Sequence, residues 1–229
     1  MVIENNNYHR DSDYVKYDSM FKNIFLKRVN LITKFVKKGR LLEIGSSTGI
    51  MLNLFKDLGW DVLGIEPSKS CREAWRKKLK VLNLQFEDAE IPKNYFDLVI
   101  MNHTLEHMEK PFEVLTKIKS LLKVNGILYV DVPNYGSLSS NILGNKWPYL
   151  LPNEHKHQFT KKSLADLIQK AGFKVIYWQS RSGIFEYSNP LKELGRKRFL
   201  IELFAFPYSL IATLLRMGDS MSFVAKKIS

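Results

Sequence analysis

Leu41 to Ser68 read LLEIGSSTGIMLNLFKDLGWDVLGIEPS. A short apolar run (Leu41, Leu42, Ile44) ends in Gly45-Ser-Ser-Thr-Gly49. An amphipathic segment follows and stops at Gly59, and a second apolar run closes on the acid Glu66. Strand, tight glycine turn, helix, strand and acid in that order make one half of a nucleotide-binding α/β unit. The glycine turn lets backbone approach a ligand that a Cβ would hold off. A carboxylate at the tip of the second strand can accept hydrogen bonds from both hydroxyls of a ribose.

Glycine spacing narrows the nucleotide. A dinucleotide fingerprint, G-x-G-x-x-G, would need glycine at Ser47 and Ile50 and fails at both. No Gly-Lys-Ser/Thr follows, which excludes a P-loop. The S-adenosylmethionine (SAM) pattern, acid-x-G-x-G-x-G, uses Glu43, Gly45 and Gly49 and misses only at Ser47. On this segment alone, a strand–turn–helix without a ligand stays open. If the turn requires positive φ at Ser47, that residue is strained.

Three further segments follow in order: Gly64-Ile-Glu-Pro-Ser68, the run FDLVIMNHTLEH from Phe96 to His107, and the run LKVNGILYVDVPN from Leu122 to Asn134. With the glycine loop, they make the chain resemble the class I SAM-dependent methyltransferases. The branch is the one near the ubiquinone-biosynthesis methyltransferases and their relatives in bacterial polysaccharide and lipid gene clusters, and the resemblance runs from about Tyr14 to the C-terminus. It implies a Rossmann-like, mostly parallel sheet with an antiparallel last strand, helices on both faces and a C-terminal helical insertion.

The chain of 229 residues suits one α/β domain with a modest insertion. Met1 to Asp13 is polar and lacks the apolar run of a signal peptide. Cys71 is the only cysteine, so an internal disulfide and a cysteine metal cluster are excluded, and a cytosolic, reducing compartment is expected. The net charge of +12 admits a lysine-rich solvated surface, an anionic membrane face, an anionic small substrate or nucleic acid. The lysines are spread over several expected helices, which favours the first.

Periodicity places helices over 18–38, 48–58, 68–79, 111–123 and 161–171, and strands over 40–44, 61–65, 81–86, 95–101, 126–132, 173–179 and 221–228. The alternation implies ligand-binding turns along the carboxyl edge of the sheet. Within the single domain, 14–39 is an N-terminal helix and 40–133 the SAM-binding core. Two stretches, 134–159 and 180–220, are too long for plain connections and are expected to cap the substrate.

By resemblance, Gly45 and Gly49, with the backbone of Ser46 and Ser47, surround the methionine portion of SAM. Glu43 lies near its amino group, and Glu66, followed by Pro67, binds the ribose. Asp88 and Ala89 meet the adenine, while Asn102 and His103 close strand four beside the sulfonium. If the acceptor is a hydroxyl, a base must take its proton. His103, His155 and His157 are the candidates, with His155 favoured, and His107 is expected to orient a turn. Two histidine pairs without a well-spaced carboxylate give no metal site.

The segment FLIELFAFPYSLIATLLRM, Phe199 to Met217, is interrupted by Glu202 and Pro207 and is not expected to span a bilayer. Its basic flanks suit a peripheral membrane contact through 196–217, and a helical hairpin over the substrate pocket or in a dimer interface is the alternative. The reading is methyl transfer to a small-molecule, sugar or lipid-linked acceptor, at oxygen. The alternatives are a nucleic-acid methyltransferase and a non-catalytic SAM-binding, membrane-associated protein. Strand four ends in Asn-His-Thr-Leu rather than an Asn/Asp-Pro-Pro-aromatic turn, which counts against nucleic acid. The oligomeric state is not legible.

Overall fold

The computed structural model describes residues 11–228, so most of the polar stretch Met1 to Asp13 lies outside the described residues. The chain begins with α1 (Asp11–Lys16) and α2 (Asp18–Ile32), then β1 (Arg40–Ile44), α3 (Ile50–Asp57), β2 (Asp61–Ile65), α4 (Cys71–Arg76) and β3 (Val81–Leu82). It continues with β4 (Phe96–Asn102), α5 (Pro111–Leu121), β5 (Leu122–Pro133), α6 (Leu138–Leu143), α7 (Lys161–Lys170) and β6 (Phe173–Arg181). Last come α8 (Lys197–Phe204), α9 (Phe206–Leu214) and β7 (Ser220–Lys227). The sheet order is β3-β2-β1-β4-β5-β7-β6. The first five strands run parallel, and β7 slots antiparallel between β5 and β6.

Side chains alternate across a strand, so neighbouring apolar residues feed opposite faces. Leu42, Val99 and Leu128 pack on one face with Val114 and Ile118 of α5 and Leu164 of α7. Leu41, Leu98 and Tyr129 pack on the other with Val29 of α2 and Phe55 of α3. Burial on both sides explains the near-continuous apolar runs of β1 and β4. The Thr160 hydroxyl accepts from the Ser163 N–H and caps α7, as its position before the helix suggests.

Three elements are shorter than their periodicity implies. α2 stops at Ile32, where the Thr33 hydroxyl bonds back to Val29 O and the next N–H groups tighten into i→i+3 bonds. The helix expected over 68–79 is reduced to Cys71–Arg76. The strand expected over 81–86 keeps only Val81–Leu82. The Asn83 side-chain amide sits 2.8, 3.0 and 3.2 Å from the carbonyls of Glu66, Pro67 and Ser68, bonding to the chain beyond β2 in place of a ladder.

One buried ionic cluster ties the two ends of the chain together. Asp131 on β5 is fully buried. Its carboxylate lies 3.1 Å from Arg28 Nε of α2 and 3.4 Å from Arg181 Nη2 of β6, and it accepts from the hydroxyls of Tyr129, Ser220 and Ser222. Burial alone would raise the Asp131 pKa; Arg28, then His103 and Arg181, outweigh it and hold the carboxyl well below the ordinary range. The stabilisation it contributes is therefore complete above the ordinary carboxylate pKa and is lost only as pH falls into strong acid. Removing one partner of a buried cluster leaves the others uncompensated. Asp131→Ala is expected to cost about 3–5 kcal/mol, read as a lowered urea midpoint at unchanged slope.

Candidate active site

The turn after β1 is shaped by its backbone. Gly45 has φ +74°, and a Cβ there would strike the Thr104 side chain. That hydroxyl donates to Ile44 O at 3.1 Å, so β1 and the turn after β4 meet at this point. Gly49 begins α3 at φ +75°. Ser47 between them adopts positive φ, +44°, the conformation in which a serine is strained. Its N–H donates to Glu66 Oε2 at 2.8 Å, and the Ser68 N–H donates to Glu66 Oε1 at 2.8 Å. Glu66 thus binds the glycine loop to the turn after β2.

These turns border a cleft of about 450 Å³ at the carboxyl edge of the sheet, lined by Gly45, Ser47, Glu66, Pro67, Ser68, Gln85, Phe86, His103, Thr104 and Met108, with Tyr14, His107, Glu154 and Lys156 at its rim. A second cleft of about 380 Å³ opens on the other side of His103. It is lined by Tyr14, Phe21, Phe25, Arg28, Tyr149, Arg181, Glu186, Tyr187, Glu202 and Asp219 among others. His103 and Tyr14 border both.

Of the residues singled out in the sequence, Gly45, Ser47, Glu66, Pro67 and His103 line the first cleft. Ser46 and Gly49 lie beneath the loop: Ser46 is buried, and Gly49 abuts Ala74 and Leu79. Asn102 is buried under the turn, its Oδ1 lacking a hydrogen-bond partner. Asp88 is exposed and lines an adjoining cleft of about 560 Å³ that shares Gln85, Phe86, His107, Met108 and Lys156 with the first, while Ala89 is buried. Gln85 and Phe86, just before Asp88, line both the first cleft and this one. Lys117, not anticipated, fixes this segment, donating to the carbonyls of Phe86, Glu87 and Ala89 at 2.8–3.0 Å.

Glu43 is buried below the loop and outside the cleft lining. Burial pushes its carboxyl well up, against a hydrogen bond from the Leu52 backbone in the first turn of α3, and Glu66 adds repulsion.

The histidines separate by environment. His103 has φ +51°, and its N–H donates to Asp131 O at 2.7 Å. Its Nδ1 is 3.4 Å from Glu106 Oε1 and its Nε2 3.5 Å from Asp131 Oδ1. Strained non-glycine backbone of this kind concentrates at functional sites. His155 is buried, with Nδ1 2.8 Å from Tyr149 O and its ring edge-on to His107, and it lines neither cleft. Burial lowers its pKa, against the pull of Glu106. His157 stacks on Phe159, away from both clefts. Glu106, His107 and His155 bring potential ligand atoms within 4.8 Å of one another. Two donors about 2.1 Å from one ion lie at most about 4.2 Å apart, so the trio would have to contract to hold a metal.

The profile of the methyltransferase-domain family matches residues 18–177. The chain belongs to that family. An uncharacterised protein of Methanocaldococcus jannaschii is 24% identical over 165 residues, 70% of this chain and 78% of that one. The ubiquinone biosynthesis O-methyltransferase of Cereibacter sphaeroides is 29% identical over 150 residues, 60% of this chain and 61% of that enzyme. The chain thus spans less than two thirds of that relative. The crystal structure of a SAM-dependent methyltransferase from Archaeoglobus fulgidus superposes with a TM-score of 0.69 at 21% identity, over 96% of this chain and all of that one.

This methyltransferase has SAM as its cofactor, and the first cleft fits it. A backbone-floored turn, the Glu66 carboxylate in the wall and the Phe86 face supply the contacts a charged nucleoside needs, in a volume within the usual ~300–1,000 Å³ of ligand sites.

Glu66→Ala should weaken SAM binding at least roughly tenfold, because two loop N–H groups lose their acceptor. Asp88→Ala should leave it within about twofold, as that residue lies outside the cleft; isothermal titration checks both. Glu43→Gln keeps an acceptor for Leu52 and removes the cost of ionisation. A carboxyl with a raised folded pKa loses stability as pH rises above its unfolded value. The variant's gain in thermal midpoint should therefore be larger at pH 8 than at pH 4.5.

Proposed function

We propose that the methyltransferase methylates an oxygen of a small hydroxylated acceptor held in the second cleft, with His103 as the base. The observation that carries this is the position of His103, the imidazole that borders both clefts. When bound in the first cleft, SAM supplies a methyl carbon on a sulfonium leaving group. Gly45 and Ser47 hold its methionine end, Glu66 the ribose hydroxyls, and Gln85 and Phe86 flank the base.

The chain's own work is to bring an acceptor lone pair into line and to remove its proton. Glu106 is almost wholly buried, and neither of its carboxylate oxygens has a hydrogen-bond partner. Its Oε1 lies 3.4 Å from His103 Nδ1 and Asp131 Oδ1 lies 3.5 Å from Nε2, so two carboxylates flank the ring and stabilise the imidazolium formed when it takes the hydroxyl proton. Asp131 holds the backbone beneath that ring. The name of the Cereibacter relative, an O-methyltransferase, supports oxygen as the target.

The lining of the second cleft favours an acceptor with both rings and hydroxyls. Tyr14, Phe21, Phe25 and Tyr187 offer aromatic faces, while Glu186, Glu202 and Asp219 offer acceptors for hydroxyl groups. The mixed charge and modest volume suit a small molecule better than a polynucleotide, whose phosphates call for a basic groove. Segments 134–159 and 180–220 both contribute to this lining, Tyr149 from the first and Glu186 from the second, in keeping with a cap.

His103→Asn should cut turnover by about 10²–10⁴-fold and leave SAM affinity within a few-fold. His155→Ala, buried outside both clefts, should keep turnover near that of the parent. Release of S-adenosylhomocysteine across phenolic, sugar and polyprenylated acceptors measures this. Parent-like turnover of His103→Asn would remove it as the base.

A further inference from the structure

The segment between β6 and β7 has two chemically opposite faces. α8 and α9 meet at Ala205, where Pro207 enters the first turn of α9. Their inner side packs against the turn Gly183–Glu186 and β6, burying Phe199, Ser209 and Ala212, while Glu202 bonds the Tyr187 hydroxyl at 3.1 Å. The outer side is apolar and open: Phe204 is 90% exposed, Leu214 73%, Ile201 71% and Ile211 50%. α6 extends this surface with Ile142, 69% exposed, since the Leu138 N–H bonds Met217 O at the end of α9. Isolated exposed apolar residues need no explanation, but a cluster of this extent marks a binding surface.

Charge selects the occupant. From Leu191 to Met217 the only acids are Glu193 and Glu202, against Lys192, Arg196, Lys197, Arg198 and Arg216. Both acids are turned away from the open face: Glu193 is buried and bonded by Asn23, and Glu202 lines the second cleft. Arg196 pairs with Glu193 at 3.0 Å, and the stretch as a whole is net basic in sequence beside the exposed apolar side chains. A second copy of the chain would bring this net-basic stretch against itself. A bilayer with anionic headgroups answers both the charge and the apolar residues. No helix among the described residues is long and apolar enough to cross a membrane, so the contact is interfacial.

We infer that the outer face of α8 and α9, with the tip of α6, docks on an anionic lipid surface. The first of these helices, α8, lines the second cleft from within, through Glu202. Docking sets that cleft beside the headgroups, and the acceptor class is then a hydroxylated head carried on a lipid anchor. This last step rests on the reading of the second cleft as the acceptor site; the docking itself does not.

Sedimentation of the full chain with sucrose-loaded vesicles tests the inference. Vesicles with roughly one third phosphatidylglycerol should retain it at least about tenfold more tightly than phosphatidylcholine alone, and added salt should weaken the binding. The double variant Ile201→Glu with Phe204→Glu should lose at least about tenfold in retention, with SAM affinity unchanged. Leu214→Glu repeats the test on the second helix should the first variant fold poorly. Absence of retention on either vesicle would overturn the inference, as would retention untouched by these variants. A solution dimer that the variants dissolve, without vesicle binding, would assign the face to a second copy instead. The vesicle assay needs no methyl donor, so its failure leaves the methyl-transfer reading standing. Loss of SAM binding in the parent chain would sink that reading and leave the docking result intact.

Discussion

Two guanidinium groups sit inside this protein against the carboxylates of Asp131, fully buried between them, and Glu186, 3.2 Å from Arg28. Arg28 comes from the second helix of the chain and Arg181 from the sixth strand, so one carboxylate joins segments more than a hundred residues apart. Three hydroxyls, from Tyr129, Ser220 and Ser222, complete its shell and fix β7 in register beside β5. A buried ionic cluster of this kind is weak evidence for stability compared with an apolar core. Its clearer consequence is geometrical. The backbone carbonyl of Asp131 receives the His103 N–H, and its carboxylate faces the same imidazole. The closure of the sheet and the placement of the proposed base depend on one residue.

A second carboxylate does for the cofactor cleft what Asp131 does for the core. Glu66 accepts from Ser47 and Ser68, which holds two turns at a fixed spacing. That bond offsets part of the cost of a serine at φ +44°, a conformation glycine would adopt without penalty. Glu43, two residues before Gly45, is the counterpart below the loop, where it meets α3 through Leu52. The cleft is thus preorganised by its own backbone contacts, with the carboxylate of Glu66 in its wall.

What could be read from the chain follows from how local the physics is. The glycine turn, the acid at the end of β2 and the histidine at the end of β4 are set by short-range rules, and Gly45, Glu66 and His103 stand where those rules put them. The antiparallel last strand came from resemblance, and β7 bears it out. Asp88 ends a short helical turn outside the first cleft's lining, and Lys117, thirty residues beyond Glu87, holds that turn through its carbonyls, a contact no local pattern announces. His155 looked catalytic for its type and neighbourhood. Only the fold shows its ring turned toward Tyr149 O, behind His107. Arg28 and Asp131 gave little signal, since an arginine in an amphipathic helix reads as surface. A lone acid inside the apolar run of β5 was the one available hint.

The helices between β6 and β7 show why a single periodicity can mislead. Read as one apolar run, Phe199 to Met217 is too interrupted to span a bilayer and too apolar to be an ordinary surface helix. Folding resolves the conflict by breaking the run at Ala205 and turning Glu202 inward, so the interruption that disqualifies a membrane span becomes part of a polar cleft wall. The apolar residues left over are those that no intramolecular partner covers. The polar inner face and the apolar outer face are therefore one design constraint: a wall thin enough to serve a polar cleft on one side cannot also bury its opposite side.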